Sequence, residues 1–218
     1  MMMRTLAEKL ETFGVIPVVT IEETALGVPL AQALTDGGLP VVEVTFRTAM
    51  AADAIREIKM AFPDMLIGAG TILQPGQVDQ AIAVGADFLV APGCNPAVIR
   101  HALAQKASLI PGCVTPSDIE TARREGLRLV KFFPAEACRA RDVIPALNGP
   151  YPDMRYMPTG GIRLKSLEDY LTIPNVMVCG GSWIAPGALM ANGDWETISM
   201  NARQAVEQVN LIREETIK

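Results

Sequence analysis

The chain has 218 residues, half of them hydrophobic and 20% charged, and its formal net charge is −5. This length supplies one sizeable core and is short for two domains, so we expect a single domain over residues 1–218. The mildly acidic composition argues against a disordered chain and against a nucleic-acid-binding protein with a basic face. The longest apolar runs are strand-sized, which argues against a transmembrane helix and a membrane partner.

The N-terminus and the cysteines predict a cytoplasmic protein. Residues 1–4 lead directly into Leu6, Leu10 and Phe13 at helical spacing, without the apolar region or cleavage site of a signal peptide. The four cysteines are widely separated and form no CxxC pair, and His101 is the only histidine. A zinc site is therefore poorly supplied, and we expect no metal and free thiols in a reducing compartment.

A strand, a turn rich in glycine or proline, and a helical stretch recur about every 20 to 27 residues. The predicted strands span residues 15–21, 41–46, 66–71, 88–93, 108–113, 127–135, 155–161 and 176–183. The segments with helical character between them span residues 22–36, 48–62, 75–84, 96–105, 116–125, 141–147 and 164–170. A last helix is predicted over residues 195–214, with one apolar face.

Eight β-α units without a break in composition predict one α/β domain with parallel strands. The two candidate architectures are a closed (β/α)8 barrel and an open doubly wound sheet. The count of eight and the absence of a GxGxxG turn after the first strand favour the barrel. We therefore predict a single-domain TIM barrel with an N-terminal helix, whose active site lies at the carboxyl ends of the strands.

One lysine interrupts the sixth predicted strand. Residues 127–136 read Leu-Arg-Leu-Val-Lys-Phe-Phe-Pro-Ala-Glu, a short and mostly apolar run that is typical of a strand buried on both faces. Burial removes water from an ammonium group and favours the neutral amine, which can form a Schiff base with a carbonyl substrate. If Lys131 points into the barrel, Leu129 and Phe133 share its face. The alternative is a lysine on a strand edge or paired with a carboxylate.

A second isolated charge, Glu43, lies in the predicted strand Val-Val-Glu-Val-Thr. If Val42 and Val44 face the helices, Glu43 and Thr45 point into the barrel. A buried glutamate beside a lysine can take and return protons, and such acid–base catalysis contributes about 10²- to 10⁴-fold in rate. The alternative role for Glu43 is an ion pair that compensates the charge of Lys131.

Two further polar residues follow strands two and three. Arg47 lies just beyond the second strand, and its guanidinium matches a carboxylate in a bidentate manner. Thr71 ends the third strand, and its hydroxyl is a second donor for such a group. The alternatives are a solvated arginine at a helix start for Arg47 and a helix N-cap for Thr71.

Two glycine turns end strands seven and eight, Thr159-Gly160-Gly161 and Gly180-Gly181-Ser182. Phosphate sites in these barrels often form at this point, from backbone N–H groups and the start of a short extra helix. Residues 182–186 could supply that helix start. Glycine pairs also occur in ordinary tight turns, so the prediction depends on the two pairs lying on adjacent strands.

Taken together, the motifs resemble the 2-keto-3-deoxy-6-phosphogluconate (KDPG) and 4-hydroxy-2-oxoglutarate (KHG) aldolases. The matching segments run in family order along nearly the whole chain. They are Glu-Val-Thr-Phe-Arg at 43–47, Gly-Ala-Gly-Thr at 68–71, Pro-Gly-Cys-Val-Thr-Pro at 111–116, Lys-Phe-Phe-Pro-Ala-Glu at 131–136, Pro-Thr-Gly-Gly-Ile at 158–162 and Gly-Gly-Ser-Trp at 180–183.

The resemblance implies a class I (Schiff-base) aldolase, a lyase of the Entner–Doudoroff pathway that cleaves 2-keto-3-deoxy-6-phosphogluconate to pyruvate and glyceraldehyde 3-phosphate. It also implies a cytoplasmic homotrimer without cofactors. It implies Lys131 as the Schiff-base lysine and Glu43 as the general acid and base. The remaining residues it implies surround the substrate: Arg47, Thr71 and Thr159 at the pyruvate end, and Gly160, Gly161, Gly181 and Ser182 at the phosphate. The chain departs from the family at residues 137–141, Ala-Cys-Arg-Ala-Arg, where the family usually carries a glycine pair.

Two rival functions remain open from the residues. A phosphosugar-binding barrel without activity would not require a reactive Lys131, and a metal-dependent retro-aldol lyase would leave Lys131 structural. A related aldolase with a different stereochemical preference is a further alternative, because the sequence does not determine which configuration at C4 of the substrate is accepted.

Overall fold

Strands and helices alternate along residues 5–216, the part of the chain described by this computed structural model. The strands are β1 (Val15–Val19), β2 (Val41–Thr45), β3 (Leu66–Gly70), β4 (Phe88–Val90), β5 (Leu109–Ile110), β6 (Leu129–Phe132), β7 (Arg155–Pro158) and β8 (Cys179–Gly181). The helices are α1 (Leu6–Phe13), α2 (Gly27–Asp36), α3 (Ala51–Ala61), α4 (Pro75–Ala83), α5 (Pro96–Ala104), α6 (Pro116–Arg124), α7 (Ala140–Asn148), α8 (Leu167–Leu171), α9 (Gly187–Ala191) and α10 (Trp195–Thr216). Residues 1–4, where we expect no signal peptide, lie outside the described range.

The strands close into a barrel in which all pairings are parallel. Six strands form one sheet in the order β5-β4-β3-β2-β1-β8, and β6 pairs with β7. Single parallel bridges join the two sheets, Gly112 to Lys131 on one side and Thr159 to Gly180 on the other. The prediction of a TIM barrel with an N-terminal helix is therefore confirmed.

Several predicted strands are too long at their carboxyl ends. β4, β6 and β8 end at Val90, Phe132 and Gly181, whereas the apolar pattern continues two or three residues further. Those further residues leave the ladder and form the loops above the barrel. The helix starts follow the sequence more closely, because Pro75, Pro96 and Pro116 occupy the first turns of α4, α5 and α6.

The interior of the barrel is apolar except at one end. The described residues include four buried side chains that are polar or charged: Glu43, Thr45, Lys131 and Thr159. Each is at or near the carboxyl end of its strand, so the polar part of the interior coincides with the end where a barrel of this type places its site. None of the helices in residues 5–216 is both long and apolar enough to cross a bilayer.

Candidate active site

The two predicted interior charges lie in direct contact. Lys131 Nζ is 3.1 Å from Glu43 Oε1, and the two side chains are 6% and 1% exposed. β2 and β6 are not neighbouring strands, so the pair spans the barrel interior. The ring of Phe133 lies on the same side, with its centroid 5.4 Å from Nζ. An amine and a carboxylate are thus held together where little water competes for either.

Glu43 keeps one carboxylate oxygen unused. Oε1 accepts from Lys131, while Oε2 is buried and has no hydrogen-bond partner among the described residues. Gly70 explains how the carboxylate fits, because a Cβ at this position would be 2.3 Å from Oε1. A buried acceptor without a partner is costly, and such an acceptor beside an amine is suited to take a proton from a bound molecule.

Arg47 and Thr71 are also brought together. Arg47 Nε donates to Thr71 Oγ1 over 3.1 Å, and Thr71 adopts a positive φ of 58°, which is unusual for a β-branched residue. Thr71 does not cap α4, since the N-cap of that helix is Gln74. The alternative N-cap role for Thr71 is therefore wrong, and its hydroxyl instead orients the guanidinium of Arg47.

A cavity of about 360 Å³ opens above this end of the barrel. Six of the predicted site residues line it: Arg47, Lys131, Thr159, Gly160, Gly161 and Ser182. Three others stand behind this lining. Glu43 touches Lys131, Thr71 touches Arg47, and Gly181 packs against Trp183, whose ring a Cβ at that position would overlap.

The two glycine turns are adjacent, as expected for strands seven and eight. Thr159 and Gly180 form a bridge, and a Cβ at Gly180 would be 2.3 Å from Thr159 Oγ1. Gly160 and Gly161 have φ angles of 105° and 85°, a region that side-chain-bearing residues rarely adopt. Both glycines line the cavity, so the backbone of this turn forms part of its wall.

The helix expected after strand eight begins later than the sequence suggested. Ser182 lies in a bend, and α9 starts at Gly187 with Pro186 as its N-cap. The placement of Ser182 at a helix start is therefore wrong, because the Trp-Ile-Ala-Pro segment separates it from the helix. Ser182 reaches the cavity as an exposed loop hydroxyl and not as a helix terminus.

The cavity lining also includes two polar residues that the motifs did not single out. Thr20 and Glu22 follow β1, and Thr20 Oγ1 lies 2.9 Å from Thr45 Oγ1. Their position directly after a strand could have identified them, because the site of such a barrel lies at the carboxyl ends of its strands. Neither residue is an isolated charge within an apolar strand, which is the signal that identified Lys131 and Glu43.

The chain is similar to known proteins over nearly its whole length. The chain matches the family described as KDPG and KHG aldolase over residues 6–201. A 2-dehydro-3-deoxy-phosphogluconate aldolase of Treponema pallidum is 44% identical over 210 residues, covering 96% of this chain and 100% of that protein. A KHG/KDPG aldolase of Escherichia coli K12 is 40% identical over 209 residues, covering 95% and 98%.

Solved structures give the same result. A KDPG aldolase from Legionella pneumophila, crystallised with pyruvate captured as a covalent carbinolamine intermediate, has a TM-score of 0.89 at 38% identity and covers 92% of this chain and 98% of its own. The aldolase of Zymomonas mobilis with 3-phosphoglycerate has a TM-score of 0.86 at 37% identity, with coverage of 92% and 95%. The fold, the motifs and the extent of these matches establish that the chain belongs to the KDPG and KHG aldolase family.

Proposed function

We propose that this protein is a class I aldolase that cleaves 2-keto-3-deoxy-6-phosphogluconate to pyruvate and glyceraldehyde 3-phosphate. The observation that carries the proposal is the buried contact between Lys131 and Glu43 at the floor of the cavity. An amine in this position meets the carbonyl of a bound 2-keto acid, and the carboxylate beside it can move the protons.

The reaction begins with Lys131. Glu43 takes a proton from the Lys131 ammonium, and the amine attacks the C2 ketone to give a carbinolamine. The proton returns from Glu43 to the carbinolamine hydroxyl, which leaves as water and gives an iminium. Glu43, directly or through a water molecule, removes the proton of the C4 hydroxyl. The C3–C4 bond then breaks, its electron pair passes to the iminium to form an enamine, and C4 leaves as the aldehyde. Protonation at C3 and hydrolysis release pyruvate and restore the lysine.

The cavity wall supplies the binding groups. We assign the pyruvate carboxylate to Arg47, Thr71 and Thr159, and the distal phosphate to the backbone of Gly160, Gly161 and Gly181 with the hydroxyl of Ser182. The guanidinium of Arg47, oriented by Thr71, is the charged donor near the first position. The backbone of the Gly160 turn at the cavity wall supports the second. The phosphoglycerate held by the Zymomonas mobilis relative is consistent with such an anion site.

The same site fits 4-hydroxy-2-oxoglutarate, whose products would be pyruvate and glyoxylate. The Escherichia coli relative carries both activities in its name. We treat this as a second substrate, because the pyruvate half of the molecule and the chemistry at Lys131 are shared. The groups proposed to bind the phosphate then face a carboxylate, which carries less charge, so the second substrate should react more slowly.

One experiment tests the chemistry. Pyruvate release is measured with both substrates, and the enzyme is then incubated with pyruvate and borohydride, which should reduce one adduct onto Lys131. Full activity in a chelator is expected, whereas loss of activity would favour a metal-dependent lyase. Labelling at Lys106 or Lys165, with Lys131→Ala still active, would overturn the proposal. Absence of both turnover and labelling would favour a binding protein.

The finer assignments follow from the family resemblance and the composition. We propose a homotrimer of the full chain, residues 1–218, each copy folded as one domain. We also propose a cytoplasmic location in the Entner–Doudoroff pathway, which the four free cysteines support. Sedimentation equilibrium at micromolar concentration should give three times the 23.4 kDa mass of the chain, and a mass near a single chain would contradict the trimer.

A further inference from the structure

Residues of the segment after β6 form a charged cluster with α8, outside the cavity lining. Tyr170 on α8 donates a hydrogen bond of 2.6 Å to Glu136 Oε1, and Arg141 Nη2 lies 3.6 Å from Glu136 Oε2. Arg141 also pairs with Asp169 at 2.9 Å, and its guanidinium carbon is 5.8 Å from the centroid of the Tyr170 ring. The carboxylate of Glu136 is thus held from two sides.

Glu136 in turn contacts the Gly160 turn. A Cβ at Gly161 would lie 2.6 Å from Glu136 Cγ and 2.7 Å from its Cβ, so the stem of the glutamate packs directly on this glycine. Two backbone hydrogen bonds join the same segments. The amide of Ala135 donates to the carbonyl of Thr159 over 2.8 Å, and the amide of Glu136 donates to the carbonyl of Gly160 over 3.0 Å.

These two hydrogen bonds fix the direction of the N–H groups of Gly160 and Gly161. In a trans peptide the C=O and the N–H point in opposite directions within the peptide plane. The carbonyls of Thr159 and Gly160 face the segment that carries Glu136, so the N–H groups of Gly160 and Gly161 face away from it. Both glycines line the cavity. The orientation of the cavity donors therefore depends on where residues 135 and 136 are held.

Tyr170 is suited to hold this segment because its phenol stays protonated. The side chain is fully buried, and burial first and the hydrogen bond to Glu136 second raise the pKa of Tyr170 above its ordinary value. A neutral phenol is a permanent donor to the carboxylate at neutral pH. Hydrogen bonds to charged groups are among the stronger ones, particularly away from water.

We infer that Glu136 is a positioning residue for the phosphate end of the substrate, and that Tyr170 and Arg141 fix its carboxylate. The inference rests on the proposed function, since it assigns the Gly160–Gly161 turn to the phosphate. None of the three side chains lines the cavity, so they act through the turn and not on the substrate.

Tyr170→Phe tests the inference, and the chain contains a matched control. Tyr151 donates to Glu120 over 3.0 Å and has Arg123 at 5.7 Å from its ring centroid, so the same three residue types recur away from the cavity. Tyr170→Phe should lower kcat/KM for 2-keto-3-deoxy-6-phosphogluconate about tenfold, mostly through KM, because one hydrogen bond to a charged group is removed. Exchange of the methyl hydrogens of pyruvate should change less than about twofold, since pyruvate has no phosphate. Tyr151→Phe should leave both unchanged.

A second set of variants distinguishes a loss of positioning from misfolding. Glu136→Gln keeps the stem on Gly161 and an acceptor for Tyr170, so it should retain more activity on the phosphorylated substrate than Glu136→Ala. Arg141→Met, at a half-exposed position, should raise KM modestly for that substrate alone. Equal losses in cleavage and exchange, or an unchanged KM in all of these variants, would overturn the inference. A wild-type enzyme that exchanges pyruvate but does not cleave the phosphorylated substrate would contradict the proposed function, and the inference with it.

Discussion

Lys131 and Glu43 are 88 positions apart in the chain, yet Nζ of the first lies 3.1 Å from Oε1 of the second. The contact is nearly sealed from water, so neither charge would be stable there without the other. The structural and the catalytic interpretations of this pair are therefore compatible. The ion pair keeps this part of the barrel interior neutral, and it places the proposed base beside the proposed nucleophile.

Glu43→Gln should fold and lose at least about 10²-fold in kcat, because proton transfer requires a carboxylate. Borohydride should still trap some pyruvate on Lys131, since imine formation needs the amine itself. The variant is compared with Glu120→Gln, which alters a carboxylate outside the cavity. Turnover near the wild-type value would return Glu43 to the role of an ion-pair partner alone.

Gly70→Ala should damage catalysis without altering any group that takes part in it. The new methyl would lie 2.3 Å from Glu43 Oε1 and 2.9 Å from its carboxyl carbon, so the carboxylate must move away from Lys131. A misplacement of about 1 Å can cost on the order of 10²-fold in rate. Steady-state kinetics of pyruvate release measure the effect.

Gly76→Ala is the control for this substitution. Gly76 lies in the first turn of α4, and a Cβ there would meet nothing within 4 Å. It should leave the kinetics unchanged. Equal kcat values for the two alanine variants would show that the position of the Glu43 carboxylate is not critical.

Ser182→Asp should reduce kcat/KM for 2-keto-3-deoxy-6-phosphogluconate, because it places a negative charge against the proposed phosphate position. The loss should be at least about tenfold, and kcat should fall together with a rise in KM, since remote binding energy helps to position the reacting carbons. Hydrogen exchange at the methyl of pyruvate should change much less. Equal losses in the two assays on one preparation would mean that the loop supports the fold and that the phosphate binds elsewhere.

Arg139→Gly should increase the free energy of unfolding by about 0.5 kcal/mol. Arg139 has a φ of 50°, a left-handed conformation that costs about 1–2 kcal/mol for a residue with a Cβ. Its exposed pair with Asp142 returns little of this cost. Glycine adopts the conformation freely, at an entropic cost smaller than the strain.

The measurement is urea unfolding, with Gln204→Gly as the comparison. Gln204 lies exposed within α10, where glycine should cost about 1 kcal/mol. The two glycine substitutions should thus shift stability in opposite directions. A loss of stability in both would show that the loop at Arg139 is not strained by its side chain.

Asp118→Asn should destabilise the protein in a pH-dependent way. Partial burial raises the pKa of Asp118, but hydrogen bonds from Thr115 and from the Val114 amide outweigh it and hold the pKa below its ordinary value. A group with a depressed pKa in the folded state contributes stability above its unfolded value, and this contribution is lost as the pH falls through the folded value.

The expected cost of Asp118→Asn is about 1 kcal/mol near pH 7, the usual value of a helix cap. The difference from wild type should shrink toward about pH 3, below the ordinary pKa of aspartate. Urea unfolding of both proteins at the two pH values measures this. A difference that stays constant would mean that the charge of Asp118 contributes nothing to the cap of α6.

The sequence by itself determined the architecture and the chemical groups. Repeated strand, turn and helix patterns are local, and apolar runs bounded by glycine and proline indicate buried strands whatever surrounds them. An isolated charge such as Lys131 or Glu43 is conspicuous for the same reason, because burial of a charge is costly unless it has a partner. The proline residues at the helix starts are local signals of the same kind.

Only the tertiary structure decided which groups meet. The pairing of Lys131 with Glu43 depends on barrel closure across strands that are distant in the chain, and the pairing of Arg47 with Thr71 depends on the register of β2 against β3. The ends of the strands and the start of α9 at Gly187 were also beyond local pattern, since they depend on which peptide groups find a ladder partner. The contact of Glu136 with Gly161 and Tyr170 joins three separate segments, and no periodicity in the sequence marks such a junction, because it is set by packing alone.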